Sequence, residues 1–240
     1  MKTGKWVKGF FKPAQDKRID IGRRKMLGAA VVGVAGAALM KGNPLEKGKT
    51  YEAGLIRPPG SLAEEEFLDK CIRCGECMKV CPTNAVQPVM FEAGLEGLWT
   101  PVLKPEVGYC EYKCNMCTQV CPTEAIEKKT LEEKQKIKIG LAHVDRSRCL
   151  PWAYAKACQV CYEQCPLEEK AIKLDDARVT TAKGKVLAVK QPSVSADLCI
   201  GCGICENKCP VRDTAAIRVT SSGETRNFKN QFLSADRYSG

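Results

Sequence analysis

Sixteen cysteines in four groups of four, with none left over, constrain this chain of 240 residues more than any other feature. The groups are Cys71, Cys74, Cys77 and Cys81; Cys110, Cys114, Cys117 and Cys121; Cys149, Cys158, Cys161 and Cys165; and Cys199, Cys202, Cys205 and Cys209. The first and last read C-x2-C-x2-C-x3-C-P. In the second and third only the first gap is longer, at three and eight residues. Every run ends in Cys-Pro (Pro82, Pro122, Pro166, Pro210). Each is followed by Ala and a β-branched residue: Ala85-Val86, Ala125-Ile126, Ala171-Ile172 and Ala216-Ile217.

That spacing has a chemical reading. Three thiolates two residues apart can wrap a loop around one corner of a cubane, while the x3-C-P cysteine points away and serves a neighbouring cluster. All sixteen cysteines are therefore expected to hold iron, as four [4Fe-4S] clusters. Structural zinc takes separated C-x2-C pairs, often with histidine. His143 is the only histidine, and no C-x-x-C-H haem attachment run is present. No dinucleotide fingerprint follows a strand pattern. His143 reads as a surface or strand residue, and Trp99 and Trp152 as side chains packed beside clusters. Thr130–Lys138 reads as a solvated helix or loop.

The expected fold is α+β: two ferredoxin-like two-cluster modules made of four cysteine-motif repeats, with short strands, short helices and long loops. Each repeat reads as a cysteine loop, a helical turn opened by the proline, then a short strand. Candidate strands are Ala171–Leu174 and Ala216–Val219, with incoming strands at Ala142–Asp145 and Val194–Asp197. Gly75 and Gly203, after second cysteines, suit a left-handed turn. Asn115 can adopt one too; Gln159 cannot do so cheaply, so the third loop is expected to differ. The regular first and fourth motifs, against the stretched second and third, favour a nested pairing in which Cys71, Cys74 and Cys77 share a cluster with Cys209. Sequential pairing, one with two and three with four, stays open. With only 6% aromatic residues, a large conventional core is not expected. Thiolate–iron bonds must replace part of it, so the metal-free chain should be largely unfolded.

The net charge of +10 is confined to one end. Residues 1–50 hold twelve Lys/Arg against three Asp/Glu, a net +9. Four thiolate-bound clusters would make the remainder acidic, so no nucleic-acid partner is expected. Residues 1–40 combine a basic region with an apolar stretch from Leu27 to Met40, roughly 21 Å as a helix against the ~30 Å hydrocarbon core. Arg23 and Arg24 precede it, with Leu27 following and Met26 where phenylalanine is usual. This resembles a twin-arginine export signal, either cleaved near Ala35-Gly36-Ala37 or kept as an anchor. Such a route carries folded proteins, which reconciles export with sixteen thiols that an oxidising compartment would otherwise pair. Residues 41–60 read as a linker, 61–220 as the cluster-bearing body, and 221–240 as a polar tail.

Further residues carry a closer likeness. Leu55-Ile56-Arg57-Pro58-Pro59-Gly60, Gly94-Leu95-Glu96-Gly97-Leu98, and the third motif's x8 gap with Cys158-Gln159-Val160-Cys161-Tyr162 resemble the NapG/MauM-type ferredoxins over residues 20–220. The resemblance implies a periplasmic polyferredoxin at the outer face of the membrane, attached through its N-terminal segment. It would be an electron carrier rather than an enzyme. Its partners would be a membrane quinol dehydrogenase-type polyferredoxin or cytochrome and a periplasmic reductase or cytochrome. The alternative is the iron–sulfur subunit of a larger molybdenum or hydrogenase-type oxidoreductase.

Overall fold

Among the described residues the longest helix is only seven residues, so burial must come from many short pieces. The computed structural model describes residues 54–180, 186–211 and 213–226, all in one unit of the chain. Arg23, Arg24 and the rest of the basic and apolar N-terminal stretch lie outside the described residues. Among the described residues no helix is long and apolar enough to cross a membrane.

Helix α1 (Glu64–Lys70) carries Glu64, Glu65 and Glu66 in its first turn and Lys70 in its last, each matching the helix dipole. Its Phe67 is fully buried. One short helix then follows in each motif: α2 (Glu76–Lys79), α3 (Met116–Val120), α6 (Val160–Gln164) and α7 (Ile204–Asn207). Each holds the third cysteine and stops before the fourth. The helical turn therefore precedes the proline, where the sequence had suggested that proline opens it. The reason is steric: the residue before proline is driven out of the helical region. Cys121 and Cys165 are accordingly extended, with ψ of 113° and 121°.

Gly75 and Gly203 are left-handed, at φ 77° and 82°. Asn115 is not; at φ −134° it matches Gln159 at φ −139°, so the second and third loops turn alike. Helix α4 (Leu131–Lys136) opens with a reciprocal capping box between Thr130 and Glu133. Helix α5 (Leu150–Tyr154), with proline in its first turn, fills the long gap between Cys149 and Cys158.

The strands pair in a repeated way. β1 (Val86–Pro88), leaving the first motif, runs antiparallel to β2 (Pro101–Leu103), entering the second. Ser61, before the first motif, bridges Ile126, after the second. In the other half, β3 (Leu141–Val144), entering the third motif, pairs with β6 (Ile217–Thr220), leaving the fourth. β4 (Ile172–Thr180), leaving the third, pairs with β5 (Val186–Val194), entering the fourth. Three of the four expected strands are found near their places. Val194–Asp197 is a correction: the strand ends at Val194. β4 also runs well past Leu174. Motifs one and two thus exchange flanking segments, and so do three and four.

Among the described residues the buried side chains form three small apolar clusters, two of which contain cysteine sulfurs. The body also exceeds its expected bounds of 61–220. Leu55, Ile56 and Arg57 are buried, and the Ile56 carbonyl accepts the Leu103 N–H at 2.7 Å. At the other end Ser221, Ser222 and Glu224 are buried, and the Thr225 N–H donates to the Lys138 carbonyl at 2.9 Å. Linker-like and tail-like composition misleads here because partners within the fold satisfy the polar groups.

Candidate metal centre

The cysteine loops bring the thiols together in fours, and the membership of each four is informative. One cavity is lined by Cys110, Cys114, Cys117 and Cys81. Another is lined by Cys149, Cys158, Cys161 and Cys209. The other eight follow the same rule. Cys77 faces the charges of Cys71, Cys74 and Cys121; Cys165 faces Cys199, Cys202 faces Cys199, Cys110 and Cys165, and Cys205 faces Cys202 and Cys199. We call these the first (Cys71, Cys74, Cys77, Cys121), second (Cys110, Cys114, Cys117, Cys81), third (Cys149, Cys158, Cys161, Cys209) and fourth (Cys199, Cys202, Cys205, Cys165) sites. Each takes three cysteines from one motif and the last from its sequential neighbour. The nested pairing is therefore wrong: Cys209 stands with the third motif, far along the chain from Cys71, and the exchange of strands is what carries it there.

The stretched gaps explain why regularity was a poor guide. In the third motif the extra residues are taken up by α5, which ends at left-handed Ala155. In the second, the Lys134 ammonium donates to the carbonyls of Glu111 (2.6 Å) and Tyr112 (3.2 Å), pinning the longer loop. Lys134 is almost fully buried. The solvated reading of its helix fails on that face, and its charge bears directly on the Cys110 sulfur.

Burial raises most of the thiols. It pushes Cys149 up to about 11, Cys77, Cys161 and Cys202 to about 12, and lifts Cys117 and Cys205 as well. Such thiols stay protonated at neutral pH unless a cation displaces the proton. Cys81 and Cys121 behave oppositely. Burial raises them too, but it is more than offset at Cys81 by the Thr83 side chain and backbone N–H groups, and at Cys121 by the Ile126 and Thr123 N–H groups and then the Thr123 hydroxyl. Thr83 Oγ1 is 3.5 Å from Cys81 Sγ, Thr123 Oγ1 is 3.8 Å from Cys121 Sγ, and the Ile126 N–H donates to Cys121 Sγ at 3.5 Å. A Cys-Pro-Thr turn thus favours the thiolate form relative to the other buried cysteines. The third and fourth motifs carry Leu167 and Val211 there instead.

Among the described residues no three His, Cys, Asp or Glu side chains form a binding group for a single metal ion. Thiols ranged around a cavity fit a polynuclear iron–sulfur group, whose ligands bind different irons. A roomier cavity, about 270 Å³, contains no thiol and is lined by groups including His143, Asp145, Glu206 and Arg218. The Glu206 carboxylate, pushed up to about 7 by burial, accepts the Val219 N–H at 2.6 Å. His143 is a strand residue on β3, half-buried and 3.1 Å from Thr220. Trp152 donates to the Pro192 carbonyl at 3.1 Å beneath the Arg146 guanidinium. Trp99 is exposed, contrary to its expected packing, because a left-handed backbone (φ 64°) turns it out of the 89–100 loop.

One functional-looking residue had no cysteine signal at all. Arg57, fully buried, donates to the Glu64 carboxylate, to Thr100 Oγ1 (2.8 Å) and to the Pro101 carbonyl (2.7 Å). It lies over the Phe67 ring at 4.7 Å. Glu64 also accepts from Arg226 at 2.8 Å. This network joins three distant stretches of chain beside Cys71.

A 4Fe-4S binding domain matches residues 67–87, and a 4Fe-4S dicluster domain matches residues 156–213. The dicluster match takes in cysteines of motifs three and four together. Over 210 residues the chain is 35% identical to the methylamine utilization ferredoxin-type protein MauM of Methylorubrum extorquens, covering 87% of this chain and 90% of that one. It is 35% identical over 201 residues to the ferredoxin-type protein NapG of Escherichia coli, covering 82% and 85%. A MauM of Methylobacillus flagellatus is 33% identical over 197 residues, covering 81% and 79%.

Proposed function

The chain belongs to the MauM and NapG family of ferredoxin-type iron–sulfur electron-transfer proteins, and from that premise we propose that its sixteen cysteines hold four [4Fe-4S] clusters in two two-cluster modules. It relays electrons from a membrane quinol-oxidising partner to a periplasmic reductase or cytochrome. The observation that carries the reading is the composition of each thiol site, three cysteines from one motif and the Cys-Pro cysteine of its neighbour. A [4Fe-4S] cluster, when bound, accepts and returns one electron at a time.

The chain's own residues do the rest. Cysteine loops built on left-handed Gly75 and Gly203 aim three thiols inward. The Cys-Pro turns deliver the fourth. Lys134 places positive charge beside Cys110, which favours the more negative, reduced state. Burial keeps water from Cys77, Cys149, Cys161, Cys165, Cys199 and Cys205. No substrate-converting constellation is part of this reading; the chain is an electron carrier.

The periplasmic location rests on Arg23-Arg24 and the apolar stretch after them. Folded export would let the clusters be inserted before the chain meets an oxidising compartment. Anaerobic iron and sulfide analysis with EPR tests the cluster reading directly: about sixteen irons per chain are expected. Zinc or disulfides in the native protein would refute it. Cell fractionation of the R23K/R24K double variant tests the export reading, with retention in the cytoplasm expected and unchanged export refuting it.

A further inference from the structure

We infer that the four thiol sites form one unbranched row in the order first, second, fourth, third, which is not their order along the chain. The inference rests on the four-site reading above and adds the connection between its halves.

The apolar clusters trace the row. One contains Cys71, Cys77 and Cys121 of the first site with Cys81 and Cys117 of the second. The other contains Cys81 and Cys110 of the second site, Cys165, Cys199 and Cys205 of the fourth, and Cys161 and Cys209 of the third. Cys81, a second-site thiol, belongs to both. First-site thiols appear only in one cluster and third-site thiols only in the other.

The join between halves is made by motifs two and four. The Cys110 N–H donates to the Cys202 carbonyl at 2.8 Å, tying a second-site ligand to a fourth-site ligand through the backbone. The Asn207 side-chain amide donates to the Pro105 carbonyl at 3.0 Å. The Lys208 ammonium lies 5.4 Å from the centre of the Tyr109 ring, the residue before Cys110. Gly203 seals the contact: a Cβ there would lie 3.1 Å from Pro105 Cβ. The row therefore ends at the first and third sites, and partners that give and take electrons approach at those two ends.

The test uses anaerobic protein and magnetic interaction between reduced clusters. C74A/C158A keeps the two inner sites, and C114A/C202A keeps the two ends; each should hold about eight irons. Reduced C74A/C158A is expected to show EPR signals broadened and split by spin–spin interaction. Reduced C114A/C202A is expected to show two independent signals. The reverse pattern overturns the row. Should either variant fail to load, amine cross-linking of the unmutated holoprotein decides, with a Lys104–Lys208 link expected. Links from Lys208 to Lys70 or Lys79, with none to Lys104, overturn it. A wild-type count well short of sixteen irons overturns the four-site reading instead, and the cross-link still decides whether motifs two and four meet.

Discussion

Replacing Arg57 by methionine should loosen the holoprotein by about 3 kcal/mol, and the structure supplies each part of that figure. The Arg57 side chain is wholly buried. Breaking a buried ion pair by removing one partner costs about 3–5 kcal/mol, because the other charge is stranded. Glu64 is not fully stranded, since Arg226 still reaches it at 2.8 Å, and that trims the loss toward the lower bound. The Pro101 carbonyl loses a charged donor and Phe67 loses its cation. Methionine returns some apolar packing. A domain of 150–250 residues shifts by about 2–4 °C per kcal/mol, so about 3 kcal/mol predicts a midpoint lower by about 6–12 °C. Because cluster loss makes unfolding irreversible, the assay is the temperature at which visible cluster absorbance is lost anaerobically, compared at one scan rate. R57K keeps the charge but not the fork, so it should recover only part of the loss. K70A, which breaks an exposed pair with Glu66, should leave the midpoint unchanged. An R57M midpoint within about 2 °C of wild type would refute the claim that this network holds the first motif in place.

Burial raises the Glu64 carboxyl, but Arg57 and Arg226 outweigh it and hold it below its ordinary 4.5. Its stabilisation is thus complete above pH 4.5 and fades as pH falls through the folded-state value. E64Q should therefore lose absorbance sooner than wild type at neutral pH, with the gap narrowing in acid; a gap that widens in acid would contradict this. T123V removes the hydroxyl 3.8 Å from Cys121 Sγ. At about 0.5 kcal/mol of redox-dependent stabilisation, the first-site potential should fall by roughly 20 mV in an EPR-monitored titration. T83V should move the second-site potential less, because the Thr83 hydroxyl already donates to the Tyr109 carbonyl at 2.6 Å; a larger shift in T83V would refute the ordering. G201A should fail to load the fourth site, since its Cβ would lie 2.5 Å from the Gly140 backbone at a φ of 74°. Full iron content in that variant would show that the loops can part.

Much of this architecture was legible from cysteine spacing. The four quartets, the left-handed Gly75 and Gly203, and the strands around Ala142, Ile172 and Ile217 all follow from local chemistry. Partnership between motifs did not, because it is set by strand exchange over distances such as Leu141 to Thr220. A gap length reports only what fills the gap, as α5 does between Cys149 and Cys158. Arg57 escaped notice as a structural residue because its partners, Glu64 and Thr100, carry no signal until the fold assembles them. Lys134 looked solvated because a lysine stem is buried only when specific acceptors await it, and those, the Glu111 and Tyr112 carbonyls, belong to another stretch of chain.

The lending of each Cys-Pro cysteine to the neighbouring site also sets a timetable for synthesis. A ribosome that has placed Cys121 outside its exit tunnel has supplied all eight sulfurs of the first pair, so metal could be inserted while the second half is still being translated. Neither site of the later pair enjoys that head start: the fourth must wait for Cys205, and the third stays one ligand short until Cys209 emerges. A message truncated between Cys121 and Cys205 would yield a half-metallated product, complete in its first pair and open in its second.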